Sequence, residues 1–149
     1  MLALSERSVI SEGRQPVLVR DDFIRIADTD ASGRIYYGAA VAWLTRASEE
    51  LLLPLGIGLF GDPPIGAPVR HLEVSYDGPL HLYDRYEHRA WVSHVGTSSF
   101  MIAHAVSVDG EVRLRAAVRS VHVSAEGKPA PIPAGIRQAL VEALEGSPP

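Results

Sequence analysis

Apolar residues recur with one period in the first part of the chain and with another in the second part. In the first part they recur at steps of three and four, which predicts an amphipathic helix from about Ala39 to about Leu55. Pro54 and Gly56 predict its end, because proline interrupts helical hydrogen bonding and glycine favours a C-terminal cap. The predicted apolar stripe comprises Val41, Leu44, Ser48, Leu51 and Leu55, with Trp43, Ala40 and Ala47 extending it to a second side.

From Val69 onward apolar and polar residues alternate, which is the period of a strand with one buried side. Turn residues divide this region, and Asp109-Gly110 is the strongest hairpin signal. The predicted strands are 69–76, 83–95, 98–108 and 111–123. A first strand at 17–19 and 23–26 precedes the helix, and a short amphipathic helix at 134–144 follows the last strand.

This order of elements predicts a single α+β domain over residues 17–144. Residues 1–16 are expected to form an N-terminal arm, 58–68 a loop, and 145–149 a loose tail. Because one long helix cannot cover both faces of such a sheet, we expect the chain to self-associate.

Composition and charge restrict the ligands, the covalent chemistry and the location expected for the chain. A chain of 149 residues with a net charge of -4 and a pI of about 5.8 has no overall attraction to nucleic acid or an anionic membrane. The absence of cysteine excludes disulfides, thiolate metal sites and a cysteine nucleophile. No apolar stretch approaches the roughly 20 residues of a membrane span, and the N-terminus lacks a signal-peptide pattern. A cytoplasmic location is the expectation.

Candidate chemistry lies between the first strand and the helix, in Asp28-Thr29-Asp30-Ala31-Ser32-Gly33-Arg34-Ile35-Tyr36-Tyr37-Gly38. Thioester hydrolysis needs a nucleophile or base and donors that stabilise an oxyanion. Asp30 is the candidate carboxylate, and free N–H groups around Tyr37 and Gly38 are the candidate donors. Asp-x-x-Gly is also common in turns, so a structural role for Asp30 is the alternative.

The same stretch, Asp28-x-Asp30-x-x-Gly33-x-Ile35-Tyr36-Tyr37, followed by Trp43 and Leu55-Gly56, resembles the hydroxybenzoyl-CoA thioesterase-like family. The likeness runs from about residue 17 to about 140 and includes Pro79, Asp84 and Pro131-Ile132-Pro133. It implies the hot-dog fold, in which a five-stranded antiparallel sheet wraps a long central helix. It also implies a homo-oligomer, either a dimer or a tetramer of hot-dog dimers.

The resemblance assigns roles residue by residue. The second acid of the pair, here Asp30, is the catalytic one, as nucleophile or general base, and Asp28 is structural. The chain resembles the aryl-CoA branch, which has tyrosine at position 37 and uses its backbone N–H. Tyr37 and Gly38 are therefore the expected oxyanion donors, and Gly33 and Tyr36 are expected to contact substrate. Two departures, Thr45 for a glutamate and Ala39-Ala40 for Asn-Tyr, leave the acyl group open.

Two further groups are candidates for binding the rest of the substrate. Ser98 and Ser99 correspond to a family position near the pantetheine arm, although a plain role at a hairpin edge is equally compatible. Arg113 and Arg115, together with Arg119, share one face of the last strand and could hold nucleotide phosphates or an acidic carrier protein. The alternative is a solvated sheet face.

The predicted activity is hydrolysis of an acyl-CoA or aryl-CoA, or of an acyl carrier protein thioester, without a cofactor beyond the coenzyme A of the substrate. The six histidines lack close helical pairing, so no metal site is expected. One rival is a hot-dog dehydratase of hydroxyacyl thioesters, which generally needs a histidine paired with an acid. The other is a non-catalytic module that binds acyl thioesters.

Overall fold

A computed structural model describes residues 18–57 and 66–145. It contains β1 (Leu18–Phe23), α1 (Tyr37–Leu52), β2 (Val69–Tyr76), β3 (Arg85–Val95), β4 (Ser99–Val108), β5 (Glu111–Val121) and α2 (Ala134–Glu145). The strands form one antiparallel sheet in the order β1-β3-β4-β5-β2. The α+β prediction, with one long helix and a short C-terminal helix, is confirmed. The predicted arm and most of the predicted loop and tail lie outside the described residues.

Helix α1 packs on the sheet through small and large residues at helical spacing. Its buried positions are Ala40, Leu44, Ala47 and Leu51, while Val41 is 40% exposed. The contact face is therefore rotated from the predicted stripe, because the alanines let the helix backbone lie close to the strands. The helix ends at Leu52, three residues before the predicted end, and a 3₁₀ turn, Leu53–Leu55, follows it. Pro54 lies in this turn, and Gly56 closes the turn with a φ of 78°.

Two apolar clusters lie between α1 and the sheet. One surrounds the first half of α1 and includes Ile24, Leu44 and Val106, and the other surrounds its second half and includes Leu51 and Phe100. Two buried histidines, His88 and His104, lie on the same face of the sheet and belong to neither cluster.

The first strand is shorter than predicted. It ends at Phe23, and a 3₁₀ turn, Ile26–Asp28, replaces the predicted continuation. The reason is local, since an Asp28 carboxylate oxygen accepts a hydrogen bond of 2.9 Å from the Arg25 N–H and closes the turn. Strand β3 likewise begins at Arg85 because Tyr83 has a φ of 69°, which a strand cannot accommodate.

The predicted hairpin at Asp109-Gly110 is confirmed. Both residues have positive φ, 52° and 78°, as a two-residue turn of type I′ requires. In the described parts of the chain, no helix is long and apolar enough to cross a membrane.

Candidate active site

A small hairpin over residues 28–36 carries the candidate carboxylate. The Tyr36 N–H donates to the Asp28 carbonyl at 2.8 Å, and the Asp30 N–H donates to the Arg34 carbonyl at 3.0 Å. Gly33 completes the turn with a φ of 75°, a conformation that favours glycine. The hairpin thus places Asp30 on one arm while the other arm leads directly into α1.

This hairpin is anchored on both sides. On one side the Ile35 N–H donates to the Leu80 carbonyl, and the Leu82 N–H donates to the Gly33 carbonyl, each at 2.9 Å. On the other side the Asp28 carboxylate also accepts a bond of 3.4 Å from the Trp43 indole N–H. The contacts of Asp28 are therefore those of a structural residue.

Asp30 itself is exposed. One of its carboxylate oxygens accepts bonds from the Ser32 hydroxyl at 2.5 Å and from the Ser32 N–H at 2.8 Å. These bonds, reinforced by the charge of Arg34, lower the pKa of Asp30 below its ordinary value. The carboxylate is consequently ionised at neutral pH, as a nucleophile or a base for water must be.

The start of α1 offers two free donors. Helical geometry leaves the first N–H groups of a helix without internal partners. Tyr36, the residue before the helix, provides no side-chain cap, and within the described chain the N–H groups of Tyr37 and Gly38 have no acceptor. They lie at the N-terminus of the helix, where its dipole favours negative charge. Together they could bind an oxyanion.

Two tyrosine rings border these donors. Tyr36 and Tyr37 lie 4.7 Å apart between ring centroids at 49°, and Tyr37 is 69% exposed. A Cβ on Gly38 would lie 2.5 Å from the Tyr36 ring, so the ring covers this part of the helix. The Tyr76 hydroxyl donates to the Tyr37 carbonyl at 2.7 Å and ties the helix start to β2.

Ser98 and Ser99 lie elsewhere. They belong to the turn and first residue of the β3–β4 hairpin, next to the cluster around the second half of α1. Asp30 lies beside the beginning of α1, at the other end of the sheet. The structure therefore does not bring the two serines together with Asp30 within one subunit.

Arg113 and Arg115 lie nearer than Ser98 and Ser99 to the end of the sheet that carries the candidate site. They alternate with Leu114, which is buried against α1, so both lie on the sheet face turned away from that helix. Arg113 pairs with Glu111 at 2.8 Å, and Arg115 pairs with Asp77 at 2.8 Å. Arg115, whose side chain is 69% exposed, fits the solvated face that was the alternative to phosphate binding. Arg113 is 24% exposed, and its Nε is buried without a partner in the described chain.

Known proteins are similar to this chain in sequence and in the arrangement of its elements. Residues 24–140 match the model of the family described as the Thioesterase-like superfamily. The chain belongs to that superfamily. The predictions of the family and of a thioester-hydrolysing enzyme are thereby confirmed.

Individual relatives of this thioesterase-like chain agree with that membership. A 1,4-dihydroxy-2-naphthoyl-CoA hydrolase of Gloeothece citriformis is 30% identical over 107 residues, covering 68% of this chain and 75% of the relative. The enzyme of the same name from Thermosynechococcus vestitus is 26% identical, covering 82% and 90%. A thioesterase of Thermus thermophilus solved with coenzyme A and Zn is 26% identical, with a TM-score of 0.76 and coverage of 92% and 98%. The hot-dog fold is confirmed.

The buried histidines of this thioesterase-like chain form a pair that the sequence did not single out. The His88 Nε2 and His104 Nδ1 atoms lie 3.0 Å apart, and the His104 Nε2 lies 3.2 Å from the Ser48 hydroxyl of α1. Burial lowers the pKa of His88 to about 4 and that of His104 to about 3, so both are neutral at pH 7. The available signal was their inward position in the alternating pattern of two neighbouring strands.

The positions of the histidine and carboxylate side chains bear on metal binding. Across residues 18–57 and 66–145, no group of three or more histidine, aspartate or glutamate side chains is placed to hold an ion. The histidine that backbone pairing places beside the candidate hairpin is His81, opposite Arg34. Its imidazole lies 3.6 Å from Asp84.

Proposed function

We propose that this chain hydrolyses the thioester of coenzyme A with an aromatic acid, using Asp30 and the amides of Tyr37 and Gly38. The observation that carries the proposal is the hairpin, which joins an ionised carboxylate and two free N–H donors through one short loop. The names of the relatives, which describe hydrolases of an aromatic CoA thioester, support the choice of acyl class.

The chemistry needs few groups. The Asp30 carboxylate either attacks the thioester carbonyl carbon to form a mixed anhydride, which water then cleaves, or removes a proton from a water that attacks directly. In both routes the carbonyl oxygen gains negative charge, and the Tyr37 and Gly38 N–H groups stabilise it. The C–S bond breaks, and the coenzyme A thiolate leaves and takes up a proton.

The exposed tyrosines support an aromatic acyl group. Tyr36 and Tyr37 present ring surface beside the proposed oxyanion donors, and aromatic rings stack favourably on such surfaces. Gly33 shapes the turn that precedes them. An acyl carrier protein is the other possible source of the thioester, and the same two donors would serve it.

A second copy of the chain would complete the site. Strand β2 is an edge strand, and Leu72, Tyr76 and Val41 are exposed beside Tyr37. Pairing of two subunits along β2 would cover these groups and enclose the substrate. Ser98 and Ser99 would reach the substrate only from a partner subunit, and the predicted tetramer of dimers stays a prediction.

The test is release of free thiol from a panel of aromatic and aliphatic acyl-CoAs by the native protein and by Asp30→Asn. We expect turnover of an aromatic thioester that falls at least about a hundredfold in the variant. Asp21→Asn, a change of an exposed carboxylate on β1, is the matched control and should retain full turnover.

Each alternative has its own outcome. Turnover that survives Asp30→Asn would keep the hydrolase and discard the site. Formation of an enoyl thioester from a hydroxyacyl-CoA would identify a dehydratase, which the pairing of His81 with Asp84 instead of Asp30 does not favour. Binding of uncleaved ligand without turnover of CoA or carrier-protein thioesters would identify a binding module.

A further inference from the structure

A pocket on the opposite flank of α1 is lined by none of the proposed catalytic groups. It has a volume of about 190 Å³ and opens to solvent between α1 and the β1 edge of the sheet. Its walls are formed by Arg20, Asp22, Arg25, Asp28, Trp43 and Tyr86, with Ala42, Arg46 and His88 completing them. Asp30, Tyr37 and Gly38 do not line it.

The charges around this pocket balance. Arg25 pairs with Asp22 at 2.9 Å, and Glu50 pairs with Arg20 at 3.0 Å and with Arg46 at 3.3 Å. Asp28 supplies the third carboxylate. The lining itself has three guanidinium groups and two carboxylates, and Glu50, just outside it, pairs with two of the arginines. With Glu50 included the charges are matched, so little excess charge is left to repay the desolvation of an ionic ligand. A neutral ligand is favoured.

Two buried polar groups face the pocket without protein partners. Tyr86 is 5% exposed, and within the described chain its hydroxyl makes no hydrogen bond. Burial raises its pKa well above the ordinary value, so it is a neutral hydroxyl at all relevant pH values. His88 uses Nε2 on His104, and no partner of its Nδ1 is found in the same residues. Neither atom is sealed off from the pocket, so both are available to hydrogen-bond a molecule that enters it.

The remaining wall is aromatic. Trp43 stacks on Tyr86 with ring centroids 4.7 Å apart at 22°, and Asp28 fixes the indole through its N–H. Ala42, the residue before Trp43, also lines the pocket and is exposed. A flat ring with one hydroxyl group matches this combination of aromatic wall and polar floor.

We propose that this pocket binds a small neutral phenol, with its hydroxyl at Tyr86 and His88 and its ring along Trp43. The His88–His104–Ser48 chain adapts to either sense of this hydrogen bond. When the Ser48 hydroxyl donates to His104, each imidazole passes its proton outward and His88 presents Nδ1–H. When Ser48 accepts, His88 presents an unprotonated Nδ1.

Binding is measured on the full-length protein with phenol as the probe, by following the two indole N–H signals in ¹⁵N-resolved NMR. Trp43 lines the pocket, and Trp91 lies on the other face of the sheet, since its neighbours Ala90 and Val92 are buried against α1. We expect a saturable shift of the Trp43 signal and none of Trp91. This readout is independent of whether the protein hydrolyses thioesters.

Two variants and two charged probes decide the matter. Tyr86→Phe removes only the hydroxyl and should weaken phenol binding about tenfold. Ala42→Met, at an exposed helix position, should fill the mouth and abolish binding without disturbing the core. No shift of Trp43, equal shifts of both indoles, or tighter binding of benzoate or benzylammonium than of phenol would overturn the proposal.

Discussion

The two flanks of α1 differ in how many of their side chains have partners within the chain. The flank toward β2 presents Tyr37, Val41 and Thr45, whose side chains are exposed and largely without polar partners in one subunit. The flank toward β1 presents Trp43 and Arg46, which stack and pair with neighbouring groups. The first flank is thus suited to a partner surface and a substrate, while on the second Trp43 and Arg46 have partners within the chain and border a small pocket.

The two aspartates of the hairpin show the same contrast on a smaller scale. Asp28 accepts bonds from the Arg25 N–H and the Trp43 indole and supports the β1 flank. Among the described residues, the carboxylate of Asp30, two residues later, accepts hydrogen bonds only from Ser32 in its own turn and stays exposed. A residue that supports the fold is tied to distant parts of the chain, whereas one available for chemistry is tied locally.

The largest expected effect comes from comparing buried and exposed positions on α1. Leu44→Ala should lower the free energy of unfolding by about 2–5 kcal/mol, because Leu44 is 2% exposed between helix and sheet. Val41→Ala should change it by much less at dilute concentration, yet weaken self-association. Urea unfolding and light scattering measure the two effects. Equal destabilisation by both variants would erase the distinction between the core face and the β2 flank.

Acid should destabilise the fold by protonating His88 and His104, the two buried histidines on the sheet face that α1 covers. Their folded pKa values are lower than the ordinary value of about 6.5, so their stabilising effect is complete above pH 6.5 and is lost as pH falls toward about 4. For His88 alone the loss is on the order of 2 kcal/mol at pH 5.

Thermal unfolding as a function of pH measures this loss. The double variant His88→Leu and His104→Met lacks both titrating side chains. Its melting temperature should therefore vary less with pH between about pH 4 and 6.5 than that of the native protein. His71→Gln, at an exposed position on β2, is the control and should keep the native profile. A double variant as sensitive to acid as the native protein would assign the effect to other groups.

Variants of the two hairpin aspartates should affect different properties, stability for Asp28 and activity for Asp30. Asp28→Ala removes an acceptor of two hydrogen bonds and should cost about 1–2 kcal/mol of stability. Asp30→Asn should leave the melting temperature within about 2 °C of the native value while abolishing most turnover. Scanning calorimetry beside the thiol assay checks both. A large loss of stability in Asp30→Asn would make that residue structural.

The smallest effect concerns the peptide between Tyr37 and Gly38. The Tyr76 hydroxyl donates to the carbonyl of the same peptide whose N–H belongs to Gly38, and such a bond makes the N–H a stronger donor. Tyr76→Phe should lower kcat by about threefold to tenfold with little change in KM. Tyr83→Phe, also an exposed tyrosine, should leave both unchanged. A change confined to KM would point to substrate contact instead.

Short stretches of sequence were enough to predict most helices, strands and turns. The period of α1, the alternation of β3 to β5 and the Asp109-Gly110 turn lie within short stretches, and each was predicted from the residues themselves. Of the predictions that were wrong, the start of β3 was changed by the backbone conformation of Tyr83, and two others were changed by contacts. The bond from Arg25 to Asp28 ended β1 early, and the close approach of Ala40 and Ala47 to the sheet rotated the buried face of α1.

The motif of the candidate site was also readable in the sequence, since Asp30, Gly33 and Tyr37 lie within eight consecutive residues. Tertiary structure decided the rest. It placed Ser98 and Ser99 at the far end of the sheet and paired Arg115 with Asp77. Strand register brought His88 beside His104, sixteen residues apart. Periodicity reports which side of an element is buried, but only the pairing of distant strands determines which buried side chains meet.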